Sequence, residues 1–164
     1  MKKLLLKLMK PVLTGHWILD VLTALPRILC GYALATSFGS DKFGMPWSPS
    51  DHNLDLFEVA YWFPQDVAEY GGLFAMFPIF FAWMGAFSEA IGGIFLALGL
   101  QSRVAAFLIA CTMLVAIIFQ KGDQGLWAVL PALGFLWMSM YTLTLGSGRL
   151  GLDYLITKHY FKSI

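Results

Sequence analysis

Charged side chains are scarce in this sequence. Only 13% of its 164 residues are Asp, Glu, Lys or Arg, whereas 59% are hydrophobic and the mean hydropathy is +0.70. Soluble domains contain about 25% charged residues and about 45–50% apolar ones. A globule of this size buries only about two thirds of its surface, so much of the apolar excess would face water. The composition therefore excludes an ordinary soluble domain and indicates a membrane protein.

Side chains that bind metals are also few. The chain has two cysteines, Cys30 and Cys111, which form no CxxC motif, and three histidines. His16, His52 and His159 lie outside the apolar runs, so no histidine is placed to hold a haem or copper inside a bilayer. We therefore predict no haem, no metal and no self-contained redox centre. A net charge of only +1 gives no reason to expect a nucleic-acid partner.

Long apolar runs, in contrast, cover most of the chain. A helix of about 20 residues crosses a bilayer, and four runs approach or exceed that length. They cover residues 18–39, 77–100, 104–119 and 126–146. The runs lack the alternation of barrel strands, and only helices or closed barrels satisfy the backbone in hydrocarbon. We therefore predict an all-α fold, an integral membrane four-helix bundle that forms a single domain over residues 1–164 and contacts membrane lipid.

Basic residues are unevenly distributed among the segments that join these runs. Lys and Arg are enriched in the cytoplasmic loops of membrane proteins. Eight lie on the side of the two termini, namely Lys2, Lys3, Lys7, Lys10, Arg103, Arg149, Lys158 and Lys162, and two lie on the other side, Lys42 and Lys121. We therefore expect both termini in the cytoplasm. Asp20, Pro26 and Arg27 interrupt the first run, which favours a retained helix over a cleaved secretory signal.

The first outer loop, residues 40–76, is too long for a simple connection, so we predict that it is structured. Ser50 or Asp51 is a candidate cap for one short helix, and Pro64 for the start of a second that ends at Gly71 and Gly72. Two interpretations stay open. The loop either forms an amphipathic cap on the outer surface, which we favour, or a lid over a site between the helices.

Two ionisable residues fall well inside the spans. At about 1.5 Å per residue, Arg27 and Glu89 both lie near the middle of the bilayer. An unpaired charge there costs at least about 2.5–3.5 kcal/mol, so we predict that the two form a salt bridge. The pair either fixes which helices pack together or marks a polar site for a ligand headgroup or a proton. Tyr32, Ser88 and Tyr141 are candidates for hydrogen bonds nearby.

Several motifs resemble those of a known family, the DoxX family, over most of the chain from Arg27 to Asp153. Arg27, Gly31 and Lys42 resemble its first-helix pattern of an arginine, a glycine and a lysine just beyond the helix. Its E..GG…LGL.TR signature and its G.GR.SLD ending are matched by FSEAIGG at 87–93, LGLQSR at 98–103 and LGSGRLGLD at 145–153. Gly151 stands where the family often has serine.

The resemblance implies a small multi-pass protein of the bacterial inner membrane. Members of the family are described as subunits linked to quinol oxidation, as relatives of the membrane part of thiosulfate:quinone oxidoreductase, and as membrane proteins of redox stress. Arg27, Glu89 and Lys42 match family positions, as do Arg103 and Asp153, and we count Lys42 with Tyr32, Ser88 and Tyr141 among the candidate binding residues. Because the last two lie on the same side of the membrane, we predict a helix-end pair between them, and we favour a clamp over a site.

Two hypotheses for function follow. In the first, the chain is a quinone-interacting redox subunit, and Arg27 and Glu89 bind the headgroup or pass its protons. Its electrons would come from a separate donor, either a sulfur compound or a partner protein. In the second, it is a non-catalytic membrane scaffold or an accessory subunit of a larger complex, and the charged pair matters for folding alone. Either protein could also be a homo-oligomer.

Overall fold

The computed structural model describes residues 8–13 and 15–160 of the chain. Seven α-helices lie wholly within these residues. They are α1 (Trp17–Ala33), α2 (Phe63–Glu69), α3 (Gly72–Met76), α4 (Pro78–Leu98), α5 (Ser102–Val115), α6 (Leu126–Leu145) and α7 (Leu152–Tyr160). Two π-helical segments, Leu34–Gly39 and Ala116–Gln120, extend α1 and α5.

Four helical segments are long and apolar enough to cross a membrane. These are α1 with its extension, α4, α5 with its extension, and α6. Each coincides within a few residues with one of the four predicted runs. No β-strand occurs in the described ranges, where the only β-type pairing is an isolated bridge between Phe43 and Val59. The predicted all-α membrane bundle is therefore confirmed.

The bundle has two distinct ends. At one end, residues 40–77 connect α1 to α4, and we call it the loop end. At the other end lie the 99–101 turn between α4 and α5 and residues 146–160, and we call it the termini end. Residues 8–13 also reach the termini end, since the backbone N–H of Val12 donates to the carbonyl of Leu145 at 2.8 Å.

Glycines allow the backbones of α1 and α4 to come into contact. A Cβ added at Gly31 would lie 2.5 Å from the backbone nitrogen of Ala97, and one added at Gly39 would lie 2.5 Å from that of Ala90. Small residues at such contacts are typical of membrane helices. As residue numbers rise along α1, the numbers of the residues they meet fall along α4. The two helices are therefore antiparallel, and their register is fixed.

The hydrophobic core lies between α1, α4, α5 and α6. Its buried side chains come from all four spans and include Leu34, Leu96, Ile109, Met113 and Ala132. The tight turn from α4 to α5 needs two left-handed residues, Gly99 with φ 65° and Gln101 with φ 45°. Glycine adopts that conformation without the steric cost that a side chain adds.

The loop end has structure of its own. Its helix α2 starts at Phe63 with a proline in the first turn and is followed by Gly71 at φ 73°, as the sequence predicts for the second short helix. The helix predicted after Ser50 is wrong. Only a single 3₁₀ turn forms there, because Asn53 takes a left-handed conformation and ends it. Helix α2 buries Phe63 and Val67 in a cluster with side chains of α4.

Candidate functional site

Arg27 does not pair with Glu89, so the predicted salt bridge between them is wrong. Its side chain is 2% exposed, and Nη1 donates to the carbonyls of Leu96 and Ala97, the latter at 3.0 Å. Nη2 donates to the carbonyl of Leu150 at 3.2 Å. The last carbonyls of a helix lack partners within the helix and carry its negative dipole end. Arg27 therefore caps the C-terminal end of α4.

The register of α1 against α4 explains this difference. The prediction places Arg27 and Glu89 at the same depth by counting residues along each span. That count holds only if the ends of the two helices lie at the same level of the membrane. The contact between Gly31 and Ala97 instead places Arg27 beside the last turn of α4. Glu89 lies eight residues earlier along α4 than Ala97, which corresponds to about 12 Å of helix rise. The two side chains lie at different levels of the bundle.

Glu89 pairs with Lys42 instead. The Lys42 Nζ lies 2.7 Å from Glu89 Oε2, and the two side chains are only 14% and 5% exposed. Lys42 follows the first span by three residues and also lies over the ring of Phe63, 5.1 Å from its centroid. The sequence places Lys42 among the candidate binding residues but on the outer side. The structure instead turns its side chain back into the bundle.

This ion pair lies in the wall of a cavity between α2, α4 and α5. The cavity has a volume of about 330 Å³, within the range of about 300–1,000 Å³ for small-molecule sites. Most of its lining is apolar and much of it is aromatic. The lining residues used below are Lys42, Phe63, Tyr70, Phe80, Gly85, Ser88, Glu89, Cys111, Thr112 and Gln120. Helices α2 and α3 contribute the wall at the loop end.

Two hydroxyl groups link α4 and α5 beside the ion pair. The oxygens of Ser88 and Thr112 lie 2.5 Å apart. One of them donates to the other, and the carbonyls of Gly85, 2.8 Å from Ser88 Oγ, and of Leu108, 3.1 Å from Thr112 Oγ1, are the remaining acceptors. The Ser88 hydroxyl, predicted to hydrogen-bond near the charged pair, thus has its partners in Thr112 and the α4 backbone.

Tyr70 lines the cavity from the loop end, at the residue that follows α2. Its ring stacks on Phe119 with centroids 5.7 Å apart and meets Phe74 edge to face at 5.8 Å. Burial raises the pKa of Tyr70 to about 12, and the charges of Asp66, Glu69 and Glu89 contribute in that order. The phenol therefore keeps its proton at neutral pH. No sequence motif singles out Tyr70, Thr112 or Gln120.

The two tyrosines predicted near the charged pair lie elsewhere. Tyr32 is 64% exposed on the outside of α1. Tyr141 is 41% exposed and lines a small crevice with Arg27 at the termini end. Neither residue lines the cavity that contains Glu89.

Arg103 and Asp153 both lie at the termini end, but they do not pair with each other, and the prediction of that pair is wrong. The buried Asp153 carboxylate accepts hydrogen bonds from the backbone N–H groups of Gln101 and Ser102 at 2.8 and 2.9 Å. Arg103 donates to the carbonyl of Leu143 at 3.0 Å, in the last turn of α6. Each side chain satisfies a different helix end, because α5 presents N–H groups and α6 presents carbonyls.

Asp20 and Arg149 form a second ion pair at the termini end. Arg149 Nε lies 3.0 Å from Asp20 Oδ2, and the Asp20 side chain is buried in the first turn of α1. This pair lies on the other end of the bundle from the cavity. It joins α1 to the segment between α6 and α7.

The comparison with family models identifies the chain. The DoxX model matches residues 23–122, well over half of its length. The chain belongs to the DoxX family. The match to the DoxX model includes Arg27, Lys42, Glu89 and Gln120, and Asp153 lies beyond it. No curated protein and no solved structure matched the chain.

Proposed function

We propose that this DoxX protein is a membrane subunit that binds the ring of a quinone in the cavity between α2, α4 and α5. The observation that supports the proposal is the ion pair of Lys42 and Glu89 in the wall of an otherwise apolar cavity. Ion pairs buried at membrane depth are candidates for functional sites by default. Arg27 no longer belongs to the proposed site, because its guanidinium bonds the backbone at the termini end.

The residues present suit such a ring. A cavity of about 330 Å³ accepts one ring, and aromatic side chains such as Phe63 pack against its faces. An ammonium has three N–H donors, and Lys42 uses one of them on Glu89. Glu89 Oε1 accepts no hydrogen bond from the described residues. A donor and an acceptor are therefore both left for a ligand.

The cavity is also accessible from the apolar side of the bundle. Phe80 and Cys111 line it, and both are exposed on the outer surface of spanning helices, which faces lipid in a membrane. In this proposal an isoprenoid tail leaves the cavity on the side of these exposed residues. A ligand dissolved in the bilayer thus reaches the ion pair without crossing water.

A bound quinone would accept two electrons and two protons. Lys42 donates a hydrogen bond to a ring oxygen and stabilises negative charge there. Glu89 holds or releases a proton beside that oxygen. In this proposal the electrons come from a separate donor, which is either a sulfur compound or a partner protein.

The excess of Lys and Arg on the termini side supports an inner-membrane protein with both termini in the cytoplasm. In that orientation the loop end, with Lys42, α2 and α3, faces the outside of the bacterial cell membrane. The proposed ring site then lies in the outer half of the bilayer.

A membrane scaffold is the alternative. It is supported by the termini end, where Arg27 and Asp153 bond backbone groups at helix ends and so join the helices. In a scaffold, the Lys42 and Glu89 pair would have the same kind of role. The two proposals differ in whether the pair is needed for a ligand or for folding.

The test is to extract the protein purified in mild detergent and measure quinone in the extract. The variant Lys42→Met/Glu89→Leu removes both charges, so no unpaired charge is left buried. Its matched control, Asp20→Asn/Arg149→Gln, removes the ion pair at the other end. We expect near-stoichiometric quinone in the unsubstituted protein and in the control, and at least a tenfold loss in Lys42→Met/Glu89→Leu.

A second pair of variants tests the cavity without touching a charge. Gly85 lies against Phe63 and Thr112, so Gly85→Leu fills the cavity, whereas a Cβ at Gly134 on α6 meets nothing within 4 Å. We expect quinone to be lost from Gly85→Leu and kept in Gly134→Leu. Quinone absent from the unsubstituted protein, or equal in all variants, would reject the site and favour the scaffold.

A further inference from the structure

The cavity wall contains a lysine amine that is kept from water. Among the described residues that line the cavity, Lys42 alone carries an amine. Its Nζ lies over the ring of Phe63 and 2.7 Å from Glu89 Oε2, and both charged side chains are largely buried. In contrast, Lys10 and Lys158 are exposed and make no ion pair within the described part of the chain. A desolvated lysine beside a base is typical of the lysines that attack carbonyl compounds.

Glu89 is placed to remove the proton that keeps this amine unreactive. An ammonium has no free electron pair, so it must lose a proton before it attacks a carbon atom. The separation of 2.7 Å is a hydrogen bond, along which a proton passes from Nζ to Oε2 without rearrangement of the side chains. The apolar lining favours the neutral amine and carboxylic acid more than water does, because buried charges are costly. The pair is therefore a nucleophile with its own base.

We infer that Lys42 forms a Schiff base with lipid-soluble aliphatic aldehydes, so that the cavity is also a site of covalent carbonyl chemistry. This inference goes beyond the proposed quinone site, although it uses the same cavity and the same ion pair. Lys42 is the nucleophile in this reaction. Glu89 is the base in its first step and the acid in its last.

The reaction needs no reactant other than the aldehyde. With its proton on Glu89, Nζ attacks the aldehyde carbon, and one N–H proton passes to the aldehyde oxygen to give a carbinolamine. Glu89 then donates its proton to the new hydroxyl group, the C–O bond breaks and water leaves. The product is a protonated imine between Lys42 and the former aldehyde carbon. Its positive charge faces the Glu89 carboxylate, as the ammonium did before, and no electrons are gained or lost.

The surroundings of the amine determine which aldehydes reach it. The cavity of about 330 Å³ has a mostly apolar lining, which suits an alkyl chain. Phe80 and Cys111 line it and are exposed on the surface of spanning helices, so an aldehyde dissolved in the bilayer enters from the apolar side. A short aldehyde remains mainly in water. We therefore expect the reaction to favour long-chain aldehydes.

The test treats the purified protein in mild detergent with decanal and sodium cyanoborohydride, which reduces an imine to a stable secondary amine. Mass spectrometry of peptides locates the modified lysines. Lys10 and Lys158 are the internal controls, and butanal is the short-chain comparison. We expect decanal to modify Lys42 at least about tenfold faster than either exposed lysine, and butanal to show no such preference. Equal rates at the three lysines with decanal would overturn the inference.

Two glycine variants show whether the reaction takes place in the cavity. Gly85→Leu fills the cavity without changing a charge, whereas Gly134→Leu adds its side chain in open space. We expect the preference for Lys42 to be lost in Gly85→Leu and kept in Gly134→Leu. An unchanged preference in Gly85→Leu would contradict the site. The comparison of lysines within the unsubstituted protein does not depend on the folding of either variant.

A spectroscopic measurement tests the role of Glu89. Trans-2,4-decadienal forms an imine that absorbs at a longer wavelength when it is protonated. We expect the protonated band in the unsubstituted protein and the band of the neutral imine in Glu89→Gln at the same pH, because the variant lacks the carboxylate that faces the charge. The same band in both proteins would overturn the role of Glu89.

The outcome is independent of quinone binding. Quinone in the extract, together with no preferential modification of Lys42, would reject the Schiff base and leave the proposed function in place. Preferential modification of Lys42 in a protein that carries no quinone would support the Schiff base and reject the proposed function.

Discussion

The two ends of this bundle use buried charges in opposite ways. At the termini end, Arg27 donates to backbone carbonyls at the end of α4, and the Asp153 carboxylate accepts from the first N–H groups of α5. At the loop end, Lys42 and Glu89 bond each other beside a cavity and keep hydrogen-bonding capacity in reserve. We therefore propose function only for the loop-end pair, because its partners leave room for a ligand.

The residues of the family motifs divide between these two ends. Arg27, the 98–103 segment and the 145–153 segment come together at the termini end, where they join the last turn of α4 to the first turn of α5 and to α7. Lys42 and Glu89 lie apart from that cluster. Arg27 and residues of the 98–103 and 145–153 segments hold helix ends, whereas three motif residues, Lys42, Ser88 and Glu89, line the cavity.

The largest expected loss of stability comes from a substitution at the termini end. Arg27→Leu leaves the carbonyls of Leu96, Ala97 and Leu150 without their charged donor, and we expect the free energy of unfolding to fall by about 3–5 kcal/mol. Unfolding with a denaturing detergent, followed by circular dichroism, measures it. Arg27→Lys keeps a cation near the carbonyls and should lose less. A loss of less than about 1 kcal/mol in Arg27→Leu would contradict the capping role.

Next in size is the single substitution at the cavity. Glu89→Leu leaves the Lys42 ammonium buried without its partner, and we expect the free energy of unfolding to fall by about 3 kcal/mol. In the double variant Lys42→Met/Glu89→Leu no charge is left unpaired, so stability should return to within about 1 kcal/mol of the unsubstituted protein. The same unfolding measurement checks both. A double variant as unstable as the single one would make the pair structural, like Arg27.

A smaller effect separates two glycines. Gly31→Ala forces a Cβ to within 2.5 Å of the Ala97 backbone, and we expect α1 and α4 to separate at a cost of about 1–3 kcal/mol. Gly134 has open space, so Gly134→Ala should leave stability unchanged or raise it by up to about 1 kcal/mol. Equal free energies of unfolding for the two variants would contradict the close backbone contact between Gly31 and Ala97 that sets the register.

The smallest effect is an alkaline titration. The pKa of Tyr70 is about 12 in the folded protein, mainly because of burial, against an ordinary value of 10.0. The folded state therefore holds this proton more tightly than the unfolded state, and stability present below about pH 10 is lost as the pH rises toward about 12. Tyr70→Phe should remove that part of the loss. The difference in tyrosinate absorbance between the unsubstituted protein and Tyr70→Phe should show Tyr70 ionising near pH 12, and ionisation of Tyr70 near pH 10 would contradict this environment.

Much of the fold follows from the sequence alone. Apolar runs determine the four spans, and Pro64 with Gly71 marks the limits of α2, because these residues act through their own backbone. The register of one helix against another cannot be predicted in this way. The limits of an apolar run are uncertain by several residues, so the relative shift of two helices along their axes is uncertain by as much. That shift decides whether Glu89 meets Arg27 or Lys42. It is set by the close contact of Gly31 with Ala97, which depends on both helices at once.

The candidate site was predictable only in part. Glu89, Lys42 and Ser88 could be proposed, because charge in a span and a family motif single them out. Tyr70, Thr112 and Gln120 could not, since they come to the cavity from a loop and from another helix. Tyr32 and Tyr141 were candidates only because they lie at a suitable depth in their spans. Depth does not determine which face of a helix a side chain occupies, and both side chains are exposed.

The most direct test of the account is to locate a photoreactive azidoquinone after illumination of the purified protein, with and without excess unlabelled quinone. If the loop-end cavity is the ring site, label should fall on residues 63–89 and 108–120 and should be displaced by the competitor. Label that falls instead around Arg27 and residues 141–149, or that the competitor leaves unchanged, would contradict the assignment of function to one end of the bundle and structure to the other.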